Sequence, residues 1–508
     1  MGVTERPSFT RPERLDSAPG VRVARARFAY GDRTIFEDLT LDLPAGQWTC
    51  LLGPSGVGKT TLLRLIAGLE PAGAGGTVAA DDGSPLAGRI AWMAQTDLLL
   101  PWLSVADNVA LGARLRGTPA DRGRVRELLD RVGLGDRADA LPATLSGGQR
   151  QRVALARTLM EDRPVIVMDE PFSALDAITR LRLQALAAEL LAGRTVLLVT
   201  HDPMEALRLG HRVLVLAGAP AALAEAAAPA GARTDARIRT PDRLARPRGG
   251  AMTWLRPLIV FAGLLVVWQA IVSGFGVARF ILPPPLLVLE TAIARADILA
   301  GHAATTLVEI LLGLVCGTIL GTASALIMAY FRPARAWMLP VLVVSQAVPV
   351  FALAPVLVLW FGYGLVPKVA MATLIIYFPV TAAFYDGLRR TDPGWLDLAA
   401  TMGASRRAIL LRIRLPAALP AFASGLRVAA AVAPIGAVVG EWVGSSAGLG
   451  YYMLLMNGRV QTAAMFAALF VLALIAVAVW FTIDAILRAA LRWQPDSDPS
   501  AQPDPSRS

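Results

Sequence analysis

Eight consecutive residues near the start of the chain form a glycine-rich loop whose spacing suits the binding of phosphate groups. The loop follows a strand-like apolar run at 48–52 and precedes an apolar helical pattern at 61–68. In that context backbone N–H groups and the helix N-terminus can surround phosphate oxygens. We expect the lysine of the loop to reach the β- and γ-phosphates and its last threonine to bind Mg²⁺. The loop consists of Gly53, Pro54, Ser55, Gly56, Val57, Gly58, Lys59 and Thr60, and Thr61 follows it.

A second motif places two carboxylates at the end of a strand. Residues 165–168 are apolar (VIVM), and Asp169 and Glu170 follow directly. In nucleotide hydrolases an acidic residue at such a strand end holds Mg²⁺, and Asp169 fits that role. Glu170 is placed to act as a general base on the attacking water. Alone the motif could be an exposed acidic strand end, but beside the phosphate-binding loop it indicates hydrolysis of a nucleoside triphosphate.

The composition is too apolar for a wholly soluble protein. Of 508 residues 55% are hydrophobic and 17% are charged, against about 45–50% and about 25% in soluble domains. The mean hydropathy is +0.52. Extensive disorder is excluded by the apolar content, and a disulfide scaffold is excluded by a cysteine count of two. The formal charge is +10, but we find no basic cluster interleaved with aromatic residues, and we therefore expect no nucleic-acid partner.

The apolar residues are concentrated in the second half of the chain. Short apolar strands alternate with helical patterns over 21–216, which predicts an α/β domain with a mostly parallel sheet. The region 251–493 is apolar and reads as a membrane domain. An Ala/Pro/Gly/Arg-rich stretch predicts a linker at 217–250. The ends, 1–20 and 494–508, are polar and predict disordered tails, and the first of them lacks the apolar core of a signal peptide.

Six apolar stretches approach the length of about 20 residues that spans a bilayer. Without an export signal the first domain stays in the cytoplasm, so the first span runs outward and the loops after spans two and four lie inside. Arginines concentrate in those loops and after the last span, as the positive-inside rule requires. Much of the net charge is therefore explained by topology. The stretches lie at 255–275, 304–330, 336–360, 365–385, 424–444 and 464–487.

A third motif, LSGGQ at 145–149, precedes a helical stretch at 150–159. Together with the two nucleotide motifs it resembles the ATP-binding domain of ABC transporters, and the resemblance covers about 22–216. It implies a fold class of an α/β P-loop NTPase domain, here followed by an all-α polytopic membrane domain with about six transmembrane helices. It also implies ATP and Mg²⁺ as cofactors.

The same resemblance implies roles for several single residues. Tyr30 matches the aromatic residue that stacks on adenine in the family. Gln95 matches the glutamine that couples the γ-phosphate region to the membrane domain, and it is expected among the Mg²⁺ ligands. His201 matches the switch histidine near the γ-phosphate, and Asp176 ends a loop (173–176) that contacts the opposite subunit. A lone histidine such as His201 is more often structural, so these positions gain weight only through the combination.

The signature motif is expected to act on a second copy of the chain. Ser146, Gly147, Gly148 and Gln149 open a helix whose N-terminus suits a terminal phosphate. In the family this element faces the phosphate-binding loop of the other subunit. The resemblance therefore implies a head-to-tail homodimer with two-fold symmetry.

A cytoplasmic segment at 395–429 resembles the coupling loop of ABC importer permeases. Asp397 stands where the family has Glu and Leu398 where it has its first Ala. The matching positions are Ala399, Gly403, Leu415 and Pro416. We expect two helical pieces around the glycine, and Pro416 and Pro420 to stop or kink the returning helix. The alternative is an ordinary basic loop.

Four further segments, at 281–285, 345–355, 362–364 and 448–451, resemble permeases of the sulfonate/taurine/nitrate/thiamine-precursor group. Within that group 345–355 and 377–391 look most like permeases for hydroxymethylpyrimidine, and 97–103 is typical of their ATPases. The resemblance implies import of this thiamine precursor or a related aminopyrimidine, with a separate substrate-binding protein as partner. Import of sulfonate, taurine or nitrate is the alternative. An ATPase-first exporter and a membrane-anchored ATP switch are alternatives of other classes.

Several residues of the membrane half are ambiguous. Glu309, Glu441 and Asp484 fall in or near the ends of spans, where interfacial placement or helix pairing competes with a functional role. Pro349 and Pro355 are expected to break the third span, or only to kink it. The aromatic residues Phe351, Trp360 and Tyr363 could stack on a flat heterocycle, or anchor the chain at the membrane interface, surrounded by lipid.

Overall fold

The computed structural model describes residues 18–225 and 255–494. The chain divides into two compact units. Of the described residues, the first contains 18–225 together with Asp392–Ile413, and the second contains 255–391 together with 414–494. Three predicted segments lie partly outside the described residues: 1–17 of the tail 1–20, 226–250 of the linker 217–250, and 495–508 of the tail 494–508.

The first unit alternates strands and helices. Its strands are β1 (Val21–Tyr30), β2 (Arg33–Leu43), β3 (Trp48–Leu52), β4 (Thr77–Ala80), β5 (Ile90–Met93), β6 (Val165–Asp169), β7 (Thr195–Val199), β8 (Arg212–Gly218) and β9 (Ala221–Glu225). Its helices before the linker are α1 (Lys59–Ile66), α2 (Val105–Val109), α3 (Leu111–Arg116), α4 (Arg122–Arg131), α5 (Gly147–Met160), α6 (Ala177–Leu190) and α7 (Pro203–Leu209).

The main sheet has the order β5-β6-β7-β3-β8-β9 and is parallel except for β9. A smaller antiparallel sheet has the order β2-β1-β4. Every residue of β6 and β7 is buried, as expected for parallel strands covered on both faces. Because β3, β6 and β7 are neighbours and parallel, the loops that follow them meet at one edge of the sheet.

Two predicted boundaries of this unit need correction. The sheet does not end at 216, because β8 runs to Gly218 and β9 pairs with it, so 217–225 is sheet and not linker. Residues 18–20 are not a free tail either. Ala18 is buried, the Pro19 carbonyl accepts from Thr195 and the Gly20 carbonyl accepts from the Asp81 N–H. Both segments consist mainly of small or polar residues, so the apolar patterns that predict strands did not indicate these pairings.

The second unit is helical. Its elements are α8 (Leu255–Gly274), α9 (Pro285–Ala294), α10 (Ala296–Tyr330), α11 (Arg332–Ala347), α12 (Val350–Phe361) and α13 (Leu365–Arg389), followed, after the inserted α14 (Pro393–Thr401) and α15 (Arg406–Ile409), by α16 (Leu415–Gly444), α17 (Leu449–Gly458) and α18 (Thr462–Ala490). A turn of π-helix at Leu410–Arg414 joins α15 to α16. In the described residues, four helices are long and apolar enough to cross a membrane: α10, α13, the helix ending at Gly444, and α18.

These four helices coincide with the predicted spans two, four, five and six. The third predicted span, 336–360, is not one continuous helix. α11 and α12 meet at a 104° bend, and the pair counts as a fifth span only if both are taken together. The break lies at Pro349, whereas Pro355 is accommodated inside α12. The first predicted span corresponds to α8. The part of α8 from Val260 to Gly274 is apolar, but this part alone is shorter than a membrane span.

Small residues allow the central helices of this unit to approach closely. A Cβ on Gly313 of α10 would lie 2.4 Å from the Ala372 side chain of α13, and one on Gly425 of α16 would lie 2.7 Å from the Pro379 carbonyl. Contacts of this kind are the usual means of helix association in membranes. On the return from the inserted segment, Pro416 lies in the first turn of α16 and Pro420 lies inside it, so neither proline stops the helix.

The three ambiguous carboxylates all have partners in this unit. Glu309 accepts from the Lys368 ammonium at 2.8 Å, and Glu441 accepts from the Thr306 hydroxyl at 2.6 Å. Asp484 accepts from Arg427 at 2.7 Å and also pairs with Arg488. Each pairing except the last joins different helices, so helix pairing is the observed role.

Candidate functional site

The phosphate-binding loop connects β3 to α1 as the motif predicts. Lys59 begins α1, and its ammonium donates to the carbonyls of Gly53 at 2.7 Å and Pro54 at 3.0 Å. The ammonium therefore lies across the loop with one N–H still free for a ligand. Gly58 has φ +113°, and a Cβ there would be 2.6 Å from Ile35. Glycine is needed at this position because a side chain would be both strained and crowded.

Two of the three predicted Mg²⁺ ligands, Thr60 and Asp169, are in direct contact. The Thr60 hydroxyl donates to Asp169 Oδ2 at 2.6 Å. Burial and the nearby Glu170 charge raise the pKa of the Asp169 carboxyl, while the bond from Thr60 and the Lys59 charge oppose the shift. Hydroxyl and carboxylate oxygens are the hard ligands that Mg²⁺ uses alongside phosphate oxygens and water. The donor set therefore fits this ion, although no cluster of three acidic, His or Cys ligands occurs in the described residues.

Glu170 stands at the sheet edge in an unusual backbone conformation, with φ +48°. Its N–H donates to the Val199 carbonyl, so the end of β7 holds it. Its carboxylate lies 3.2 Å from Nδ1 of His201, whose side chain is 65% exposed. The Gln151 side chain donates to the Glu170 carbonyl and accepts from the Ala174 N–H. A strained residue held from several sides is typical of a functional site.

A cavity of about 370 Å³ lies at this edge of the sheet. It brings together most of the residues that the sequence singles out for nucleotide binding, and it also contains Arg33 and Ile35, which sequence reasoning missed. Arg33 donates to the Gly56 carbonyl at 3.3 Å. The predicted residues in its lining are Tyr30, Ser55, Gly56, Gly58, Lys59, Thr60, Thr61, Gln95, Asp169 and Glu170.

Other predicted residues do not line this cavity. Gly53 and Pro54 hold Lys59 through their carbonyls, Val57 packs on the apolar core, and His201 lies beside Glu170 in a separate small pocket. Ser146, Gln149 and Asp176 cap helices, and Gly147 and Gly148 lie in the first turn of one of them.

The signature residues form the N-terminus of α5. Ser146 accepts from the Gln149 N–H, and the Gln149 side chain accepts from the Ser146 N–H, so the pair is a capping box. The Gln149 side chain is thus committed to its own helix. Ser146 and Gly147 are exposed, and a Cβ on Gly147 would meet nothing within 4 Å. The motif presents an open surface without lining the cavity of its own chain.

Asp176 caps a second helix. Its carboxylate accepts from the Thr179 N–H at 3.0 Å at the start of α6. This bond lowers the pKa of the Asp176 carboxyl, which is fully exposed. Within its own chain Asp176 acts as a helix cap and does not reach the nucleotide cavity.

Residues 392–413, here called the inserted segment, pack against the first unit, to which they belong. α14 and α15 flank Gly403, which has φ +75°, as expected from the sequence. Leu398 and Ala399 are fully buried in one apolar cluster with Leu98 and Leu100. Trp395 meets Trp102 edge to face with ring centroids 5.3 Å apart.

Polar contacts add direction to this packing. Arg64 of α1 donates to Asp397 at 2.6 Å while its guanidinium also pairs with Glu70. Arg116 of α3 donates to the Met402 carbonyl at 3.0 Å and to Glu161 at 2.6 Å. Sequence reasoning had no signal for either arginine, because Asp397 and Met402 are far from them along the chain.

The surface that receives the inserted segment is held by buried polar groups. Asn108 pairs with both the N–H and the carbonyl of Leu100. Arg157, fully buried in α5, donates to the carbonyls of Leu98 and Asp97. Burial lowers the pKa of the Arg157 guanidinium to about 10. Because α5 begins with the signature motif, this one helix joins the exposed signature surface to the receiving surface.

Comparison with known proteins matches both halves of the chain to families. The ABC transporter family model matches residues 36–173. The model of the binding-protein-dependent transport system inner membrane component matches residues 313–493.

Individual relatives are similar to the chain over about half of its length. A probable ABC transporter permease protein of Haemophilus influenzae is 54% identical over 233 residues, which are 46% of this chain and 95% of that protein. An aliphatic sulfonates import ATP-binding protein of Burkholderia cenocepacia is 48% identical over 218 residues, 41% and 78% of the two chains. A formylaminopyrimidine transport permease protein of Halalkalibacterium halodurans is 36% identical over 241 residues, 47% and 96%.

The cavity lined by the phosphate-binding loop and the strand-end carboxylates, the apolar helices and these matches agree with one another. The chain therefore belongs to the ABC transporters and unites an ATP-hydrolysing ABC domain with an importer-type membrane domain.

Proposed function

We propose that this chain imports an amino-substituted pyrimidine, a thiamine precursor such as hydroxymethylpyrimidine. The observation that carries the proposal is the similarity to a formylaminopyrimidine transport permease over 96% of that protein. A permease encloses the path of the solute, so a permease relative bears on solute choice more directly than an ATPase relative does. The segments 345–355 and 377–391 support the same solute class.

Membership in the family establishes the general function of the chain. The chain is an ABC importer of small solutes, a multi-pass protein of the inner membrane whose ATPase domain lies in the cytoplasm. It binds ATP and hydrolyses it.

In the proposed ATP site each residue has a distinct task. Lys59 and the loop N–H groups bind the terminal phosphates, and Gln95 lies near them. Thr60 and Asp169 would hold Mg²⁺, which neutralises phosphate charge when bound. Glu170 takes a proton from the attacking water, and His201, 3.2 Å from it, orients that carboxylate.

We further propose that two copies complete each other's sites. The exposure of Ser146 and Gly147 at a helix N-terminus supports this arrangement, because an anion from a second copy can approach their N–H groups. Asp176, exposed at the start of α6, would face the same partner. Two-fold symmetry then gives two equal ATP sites.

The inserted segment is proposed to transmit the ATPase cycle to the transmembrane helices. Its burial in the core of the first unit supports this role. The helix α5 begins at the signature motif and contacts the receiving surface through Arg157, so it connects the two. A separate substrate-binding protein is proposed to deliver the solute, consistent with the family description of the membrane half.

A growth experiment tests the solute. In a strain unable to make the thiamine pyrimidine, deletion of this gene is expected to raise the hydroxymethylpyrimidine concentration needed for growth. Reintroduction of the intact gene should restore the requirement, and the Glu170→Gln gene should not. An unchanged requirement on deletion would reject the proposed solute.

Import of an aliphatic sulfonate is the second candidate. It is favoured by the 48% identity to an aliphatic sulfonates import ATP-binding protein. Growth of the deletion strain on an alkanesulfonate as its sulfur source separates the two, since a defect there and none with hydroxymethylpyrimidine would favour the sulfonate.

The proposed adenine contact makes one prediction. Tyr30 is 53% exposed and packs edge to face on Phe28. Because stacking of a base on an aromatic ring is worth about 1–3 kcal/mol, Tyr30→Ala is expected to weaken ATP binding by roughly 5- to 150-fold. Tyr30→Phe keeps the ring and should bind ATP nearly as the wild type does. Titration of the purified chain with a fluorescent ATP analogue measures both, and equal affinities of the two variants would contradict the stacking role.

A further inference from the structure

A cavity of about 600 Å³ lies in the second unit, between the start of α13, the end of α16 and the loop that leads to α17. Its volume is within the range of small-molecule sites, about 300–1,000 Å³. By the predicted topology, these helix ends face the outer side of the membrane. It shares no lining residue with the nucleotide cavity. Its lining includes Tyr363, Lys368, Glu441, Trp442 and Tyr451.

Charged side chains that are almost completely buried reach this cavity. Lys368 is 6% exposed and Glu441 is 1% exposed. The Lys368 ammonium donates to Glu309, and Glu441 accepts from Thr306 and from the Gly450 N–H. The helices α10, α13, α16 and the start of α17 thus hold one buried network at the cavity wall. Such placement is costly in a membrane protein, and it makes these residues candidates for a functional role in addition to the pairing of helices.

The charged side chains that line the cavity are Lys368 and Glu441, which have opposite signs. Two carboxylates, Glu309 and Glu441, face one ammonium, that of Lys368. His302 adds no cation, because its Nδ1 accepts from the Gly448 N–H at 3.0 Å and is therefore not protonated. Glu309 Oε2 is buried and has no hydrogen-bond partner in the described residues. Two of the three ammonium protons of Lys368 are also without a protein acceptor among the described contacts.

The outer part of the cavity is aromatic. Tyr363 is 84% exposed and Trp442 is 52% exposed, and Tyr451 stands near His302 with ring centroids 6.1 Å apart. Exposed ring faces next to a buried negative charge can hold a flat ring that carries N–H donors, by stacking and by attraction of positive charge.

We propose that this cavity binds the transported solute at the outer end of its path, and that it accepts a flat, nitrogen-rich heterocycle that is neutral or cationic. The ring lies against Tyr363 and Trp442, and an exocyclic amino group faces Glu441. A free anion such as a sulfonate would meet the Glu441 carboxylate at the position of that amino group, where like charges repel. This inference rests on the proposed function and specifies which chemical groups of the solute are recognised.

Uptake kinetics test the proposed contacts of the ring with Tyr363 and Trp442. The probe is tritiated 4-amino-5-hydroxymethyl-2-methylpyrimidine, given to cells that carry the wild type or a variant as the only importer for it. Trp442→Ala and Tyr363→Ala are each expected to raise the KM about tenfold, with a much smaller loss of maximal rate, because stacking contributes to binding of the ring. Both residues are exposed, so the truncations leave the fold intact.

The matched control is Trp337→Ala, an 80% exposed tryptophan of α11 that does not line the cavity. It should leave the KM within about twofold of the wild type, as expected for a surface substitution. Glu441→Gln keeps the shape but removes the charge, and it should raise the KM for the pyrimidine and improve competition by ethanesulfonate.

The outcomes separate this inference from the proposed function. If the wild type takes up the pyrimidine and both aromatic variants have an unchanged KM, the cavity is not the solute site, and the proposed function still stands. If Trp337→Ala raises the KM as much as Trp442→Ala and Tyr363→Ala do, the cavity is likewise rejected as the solute site. Uptake of labelled ethanesulfonate and not of the pyrimidine by the wild type overturns both.

Discussion

Glu170→Gln is expected to lower the kcat of ATP hydrolysis by about 10²- to 10⁴-fold, the usual contribution of a general base. The amide has the shape of the carboxylate but cannot take a proton from water. The backbone of residue 170 is held by Val199 and by Gln151, and these contacts do not involve its side chain. The Lys59 and Thr60 contacts are equally untouched, so ATP affinity should remain near that of the wild type.

The measurement is phosphate release by the purified full chain, together with ATP binding by the same preparation. Glu189→Gln is the matched control, because Glu189 is a 67% exposed carboxylate of the same unit that pairs with Arg131. It should hydrolyse ATP at the wild-type rate. Near-normal turnover of Glu170→Gln would remove Glu170 from the role of base and direct attention to its neighbour His201.

The parts of the ATP site that the sequence could predict share one physical property. The loop that follows β3 and the carboxylates that end β6 are each short local motifs. The alternation of strands and helices predicts parallel neighbours, whose carboxyl ends meet at one edge. Local pattern and sheet geometry together are therefore enough to expect Lys59, Thr60, Asp169 and Glu170 in one place, and the cavity contains all four.

The parts that could not be predicted depend on contacts between residues far apart in the chain. Gln151 supports Glu170 from the middle of α5, and as one polar residue in a helical pattern it carries no distinguishing signal. The pairing of Lys368 with Glu309 is of the same kind, since a hydropathy pattern shows a charge but not its partner. The bend at Pro349 was expected only as one of two options, because proline can kink a helix as well as end it.

The second large effect is expected from reversal of the charge at Arg64, which pairs with Asp397. Arg64→Glu places a like charge against Asp397 and Glu70. A hydrogen bond between charged groups is worth about 1.5–3 kcal/mol, so the equilibrium constant for docking of the inserted segment should fall by roughly 10- to 150-fold. Solute uptake is expected to fall with it, whereas ATP hydrolysis persists because no residue of the nucleotide cavity has changed.

The double variant Arg64→Glu/Asp397→Arg decides whether the contact itself matters. An arginine at 397 can pair with the new carboxylate and with Glu70, so part of the uptake should return. Exchange of the exposed pair Arg22 and Asp42, whose side chains are 69% and 55% exposed, is the control and should have little effect. Uptake that is equally low in the single and the double variant would contradict the role of the pair. Recovery would locate one point at which α1, directly behind the phosphate-binding loop, acts on the segment between the transmembrane helices.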